Sequence, residues 1–164
     1  EDKEKLWSRL KDGTIDCVVT DHAPHTLEAK SVGYPKAPAG MPGVETSLPL
    51  MLTHAIDGKC SVSDVVRWMC EGPAKVYNIE NKGSLIEGYD GDLTLVDLET
   101  HRMITDADTW TKVGWTPYDG FELTGLPMWT IVDGIPVHSR TKNGIFKGEP
   151  LVKPGETGRS LSFR

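Results

Sequence analysis

The sequence predicts an α/β chain in two parts: the closing unit of a parallel α/β barrel over residues 1–79, and part of a small β-sandwich over residues 80–164. Three observations predict it. First, an apolar run, Ile15-Asp16-Cys17-Val18-Val19, follows a helical stretch and leads into Thr20-Asp21-His22-Ala23-Pro24-His25-Thr26. A carboxylate and two imidazoles thus sit where a strand ends, which is where chemistry collects in parallel α/β folds. Second, apolar residues recur at helical spacing between about residues 46 and 77. Third, after about residue 80 that period gives way to short β runs and glycine turns.

Taken in order, residues 3–11 read as the end of a helix, with Leu6 and Leu10 at i, i+4, Trp7 beside them, and Asp12-Gly13 as the stop. The strand Thr14–Thr20 comes next. Residues 27–43 carry Gly33, Gly40, Gly43, Pro35, Pro38 and Pro42 and read as a loop long enough to be functional. Leu48, Met51, Leu52, Ala55 and Ile56 form one apolar stripe of a helix capped by Thr46 or Ser47 and ended by Gly58. Ser61 or Ser63 opens another helix, with Val62, Val65, Val66, Met69 and Cys70 on one side. Gly72-Pro73 is expected to break it, with Pro73 in the first turn of a short helix through Tyr77. Leu93–Leu98 reads as a strand after Asp90-Gly91. Trp129–Val132 and Ile135–His138 flank Asp133-Gly134, a two-residue hairpin signal. The tail from Lys147 to Arg164 is expected to wrap the surface.

The 164 residues suit one ordinary domain or two small ones. A net charge of -6 and a pI near 5.3 give no electrostatic footprint for nucleic acid, and no apolar run is long enough to span a membrane. Cys17, Cys60 and Cys70 are odd in number and lack C-x-x-C spacing, which argues against a disulfide framework and fits a reducing cytoplasm. The cysteines read as small core hydrophobes. Because the chain starts at Glu1 without a methionine, it is expected to be cut from a longer protein.

Four stretches stand out together: Asp12-Gly13-Thr14-Ile15-Asp16 running into Asp21-His22-Ala23-Pro24-His25; the loop Ala37-Pro38-Ala39-Gly40-Met41-Pro42-Gly43 with Glu45-Thr46; residues 88–98; and Trp115-Thr116-Pro117-Tyr118. Across nearly the whole chain they resemble the dihydroorotase family, metal-dependent cyclic amidohydrolases of pyrimidine synthesis. The resemblance implies a (β/α)8 TIM-type barrel carrying the site and a β domain built from both chain ends. It implies one or two zinc ions, and a small-molecule substrate, dihydroorotate or N-carbamoyl-L-aspartate. Homodimers and complexes with aspartate carbamoyltransferase are assemblies the resemblance allows.

Hydrolysing an unactivated amide needs a strong nucleophile, which a metal supplies by lowering the pKa of bound water to about 7. It also needs a proton shuttle, which a carboxylate supplies. The resemblance gives Asp21 both jobs, metal ligand and shuttle. In isolation Asp21 would read as a turn cap before Pro24; the whole D-H-A-P-H string shifts that reading. His25 is implied to bind the substrate's carboxylate, since an imidazole donates a hydrogen bond without a permanent buried charge. Other cyclic amidohydrolases of this kind, dihydropyrimidinases (hydantoinases) and allantoinases, usually end the string with a different residue. Ala39 and Gly40 are implied to touch the ring through their main chain; Ala39 departs from the family's usual Pro-Pro-Gly.

His22 reads as structural, because adjacent residues leaving a strand point to opposite sides. His54 reads as partly exposed, and His101 and His138 as structural or exposed. Trp110, Trp115 and Trp129 read as packing residues. The family's H-x-H pair, its bridging carboxylated lysine or acidic residue, two further histidines, and a substrate-holding arginine and asparagine find no counterparts here. The chain is therefore expected to need an N-terminal barrel segment, and alone neither to bind zinc tightly nor to turn over substrate. A non-catalytic dihydroorotase-like subunit is the reading from outside enzymology.

Overall fold

The computed structural model describes residues 1–140 and 149–153. Of the tail assigned to the surface, Lys147 to Arg164, only residues 149–153 fall among the described residues.

Helix α1 spans Asp2–Lys11, with Asp2 and Glu4 in its first turn and Arg9 and Lys11 in its last. Both signs sit where the helix dipole favours them. Its inward residues are Trp7 and Leu10, while Leu6 is exposed. The expected strand Thr14–Thr20 does not form. A strand exists by its ladder, and no neighbouring strand lies beside this segment among the described residues. Its Val18 N–H instead donates to the Trp68 carbonyl at 2.9 Å.

The loop 27–43 opens with a one-turn helix, α2 (Leu27–Lys30), because Thr26 caps it, its Oγ1 accepting from the Ala29 N–H at 3.2 Å. Helix α3 spans Ser47–Ile56 and ends before Gly58. Thr46 holds its N-cap position, but its hydroxyl donates back to the Gly43 carbonyl rather than accepting from the helix. Helix α4 (Val62–Val66) starts with a capping box between Ser61 and Asp64. Gly72-Pro73 does not break the helical path. A π-helical turn over Arg67–Glu71 joins α4 to α5 (Gly72–Val76), and the Gly72 N–H reaches back to the Arg67 carbonyl. Pro73 has no N–H to continue that pattern to Trp68, and the Trp68 carbonyl is the one that receives Val18. Met51, Leu52, Val65 and Trp68 form the core here, with Trp7, Leu10, Val18, Leu48 and Cys60 packed around it. Cys70, by contrast, is exposed rather than a core hydrophobe.

The second half is one antiparallel sheet in the order β1 (Leu93–Met103), β2 (Glu122–Val132), β3 (Ile135–Ser139), β4 (Glu149–Pro150). Asp133 and Gly134 have φ of 52 and 77, as a tight hairpin turn requires. Strand β1 runs past the expected end at Leu98 through a bulge between Asp97 and His101. The second layer of a sandwich is not present among the described residues. What covers the sheet is α3. The Thr53 hydroxyl donates to the Thr124 carbonyl at 3.0 Å and accepts from the Thr124 N–H at 2.9 Å. Ile104, Leu123 and Leu126 form the second core, reached by Leu50 from α3.

Gly125 marks the closest approach of sheet and helix. Its φ is +87, and a Cβ there would lie 2.8 Å from the Leu52 Cβ. Gly125→Ala should therefore cost about 1–3 kcal/mol, the range for overpacking a filled core. A urea midpoint unchanged from the wild type would show that α3 yields freely.

His54 on α3 stands edge-on to Trp7, ring centroids 5.2 Å apart, and its Nδ1 is buried without a partner among the described residues. Desolvation holds its pKa below the ordinary imidazole value, with Lys59 adding to the effect. The unfolded chain thus takes up this proton first. Stability should fall as pH drops through about 6.5 and the loss should be complete below the lowered folded value. His54→Gln should flatten that part of the stability–pH curve; an unchanged slope would remove His54 as its source.

Candidate active site

Two loops meet at the end of the Thr14–Thr20 segment. His22 and Met41 form an isolated parallel bridge, and the Ala23 N–H donates to the Met41 carbonyl at 3.2 Å. The proline-glycine loop therefore lies along the D-H-A-P-H string. Gly40 makes that approach possible: its φ is +104, and a Cβ would sit 2.5 Å from the Ala23 carbonyl oxygen and 2.8 Å from the Ala23 Cβ. Lys30 closes the loop from the other side, donating to the Pro38 carbonyl at 2.7 Å.

Asp21 is exposed, with φ of 41. Among the described residues its carboxylate enters no hydrogen bond or ion pair, so both oxygens are available to a ligand. His22 turns away to a structural task. Its Nδ1 accepts from the N–H groups of Gly43 (3.1 Å) and Val44 (3.3 Å). The structural reading of His22 thus has its partners. His25 is half-buried immediately before the Thr26 cap of α2. Ala39 is exposed and Gly40 half-buried. The backbone thereby places Asp21, His25 and the Ala39-Gly40 loop on two loops held against each other.

Sequence reasoning missed the segment that holds these loops from the sheet side. The Trp115 indole N–H donates to the His25 carbonyl at 2.7 Å, so Trp115 does more than pack. Glu45 accepts the Trp110 N–H at 2.8 Å on one carboxylate oxygen and the Thr111 N–H at 2.9 Å on the other. Asp106 accepts the Thr116 N–H at 2.7 Å. A cavity of about 10 Å³ lies between the parts, lined by His22, Glu45, Thr46, Thr109, Thr111 and Thr116. The signal for these contacts was the Trp115-Thr116-Pro117-Tyr118 and Glu45-Thr46 strings; what they would touch was not legible.

A metal centre is not assembled by these residues alone. Among the described residues no three His, Cys, Asp or Glu side chains converge as a metal site would require. The exposed Asp21 carboxylate could offer an oxygen donor to a metal only if further ligands were supplied from outside these residues. No helix among the described residues is long and apolar enough to cross a membrane.

Residues 1–144 match the amidohydrolase family. The chain is 38% identical over 162 residues to a dihydroorotase of Pyrococcus furiosus, covering 98% of this chain and 37% of that protein. It is 41% identical over 146 residues to a dihydroorotase of Halobacterium salinarum, covering 89% and 34%. Among solved structures it is similar to the L-hydantoinase (dihydropyrimidinase) of Arthrobacter aurescens, at 37% identity and a TM-score of 0.79 over 92% of this chain and 33% of that one. The chain spans about a third of the length of the curated relatives it matches. With most of its length matched, and with the site loops laid against one another, the chain belongs to the amidohydrolase family.

Proposed function

We propose that this chain is the C-terminal segment of a zinc-dependent dihydroorotase, a cytoplasmic hydrolase of pyrimidine biosynthesis that interconverts dihydroorotate and N-carbamoyl-L-aspartate. Residues 1–79 would close its (β/α)8 barrel and residues 80–164 would belong to its β domain. The observation that carries the reading is the pairing of the Asp21–His25 string with the Ala39-Gly40 loop through the His22–Met41 bridge. The names of relatives at 38–41% identity support it.

In this reading Asp21 is one metal ligand, and the remaining ligands come from a barrel segment outside this chain. When bound, zinc activates water and polarises the ring carbonyl. Asp21 takes up the proton released on attack and delivers it to the departing ring nitrogen. His25 donates a hydrogen bond to the substrate's carboxylate, and the main chain of Ala39 and Gly40 lies along the ring. A homodimer or a complex with an aspartate carbamoyltransferase is an assembly such an enzyme could form.

The likeness to a hydantoinase at 37% identity favours one rival, a dihydropyrimidinase acting on rings without a carboxylate. The complete protein, loaded with zinc, separates the readings. Ring opening of dihydroorotate should exceed that of dihydrouracil and hydantoin. Preference for either of the latter would replace the reading with the hydantoinase one, and a protein without turnover or zinc would leave only a supporting subunit.

A further inference from the structure

We propose that Trp115 is a positioning residue for His25 and that Glu45 anchors the segment that carries it. Residues 106–116 then act as a strap that sets selectivity for a carboxylate-bearing ring. The inference rests on the reading of His25 as the group that meets that carboxylate.

The contact is made across 90 residues of chain, from the sheet half to the site loop, at 2.7 Å. It holds the His25 main chain and leaves the imidazole to the ligand. An indole N–H is a donor only, so a backbone carbonyl is a partner it can hold in one sense. The strap is anchored at its middle and closed across its ends. Glu45 receives two successive backbone N–H groups on its two oxygens, a charge-assisted pair stronger than neutral bonds. Asp106 receives the Thr116 N–H at 2.7 Å, and its own N–H donates to Asp119 at 2.9 Å. Thr109 and Thr116 are buried at 7% and 5% exposure, so the strap is packed as well as bonded. Glu45 lies directly after the loop that carries Gly40, and Trp115 grips the loop that carries His25. The strap therefore links the two loops that would enclose the ring. Four of the six polar residues lining the small cavity beside the strap, Glu45, Thr109, Thr111 and Thr116, belong to the strap or its anchor.

The test uses the complete, zinc-loaded enzyme with Trp115→Phe, which keeps an aromatic ring and removes the donor. KM for dihydroorotate should rise about three- to tenfold, the worth of one neutral hydrogen bond. Turnover and zinc content should stay within about twofold, since only ligand positioning is altered. KM for dihydrouracil should not change. Glu45→Gln, which loses the charge but keeps one acceptor, should shift the same ratio in the same direction by less, and serves if the first variant folds poorly. Equal losses on both substrates, or a fall in turnover with zinc loss, would show mere packing and overturn the proposal. If the wild type does not open dihydroorotate, the functional reading fails separately. Positioning is then read from the His25 imidazole resonances: they should shift in Trp115→Phe while those of His54 stay fixed, and unchanged His25 signals overturn it.

Discussion

Asp21→Asn in the complete enzyme should lower turnover by at least about a hundredfold, the scale of general acid–base catalysis. The variant tests chemistry rather than folding. The Asp21 carboxylate is exposed and has no partner among the described residues, so no structural bond is lost with its charge. Its φ of 41 is a conformation that Asn adopts as readily as Asp. The zinc-free proteins should thus unfold alike, within about 0.5 kcal/mol, and any larger loss in the loaded enzyme should track its zinc content. What the amide cannot do is take up a proton and release it to a leaving nitrogen, and it is a poorer ligand for a hard-to-borderline cation. Turnover and zinc content should fall together in an otherwise native protein. An Asn variant with near-normal turnover would remove Asp21 from the mechanism.

Local signals carried much of the architecture. The α1 stop at Asp12-Gly13, the stripe of α3, the Ser61 cap of α4 and the Asp133-Gly134 hairpin each depend on residues close in sequence, and each lies where its residues put it. The expectations that failed depended on something distant. Thr14–Thr20 has a strand's composition, but a strand needs neighbours, and this segment docks on Trp68 instead. Gly72-Pro73 reads as a helix breaker because the rule assumes an α-helical ladder. A π-helical turn removes the conflict by reaching back from Gly72 to Arg67. The cover that α3 gives the sheet, through Thr53 and Leu52, likewise joins residues far apart in sequence.

The candidate site divides in the same way. Asp21, His25, Ala39 and Gly40 were legible because they lie in two short strings, and Gly40 has the close contact with Ala23 that its residue type implies. Glu45 and Trp115 were visible as parts of strings but not as partners. Their contacts span 65 and 90 residues, and spacing of that size has no period to read. His22 has contacts that support its structural reading: its Nδ1 accepts from two backbone donors.

His25→Ala should reduce kcat/KM for dihydroorotate by about ten- to a hundredfold, since a hydrogen bond to a charged group is worth roughly 1.5–3 kcal/mol. Activity on dihydrouracil, which lacks the ring carboxylate, should change far less. The structure makes this a clean comparison. The strap holds His25 by its backbone carbonyl, which alanine retains, and the α2 cap is supplied by Thr26, which is untouched. Truncating the imidazole therefore removes the group offered to the ligand while leaving both supports of the loop in place. The half-buried ring gives up some packing, and that cost falls on both substrates alike, so the ratio of the two losses isolates the carboxylate contact. A ratio well above one, with zinc content unchanged, would mark His25 as the selector of a carboxylate-bearing ring. Equal losses on the two substrates would reduce it to a loop support and move the reading toward the hydantoinases.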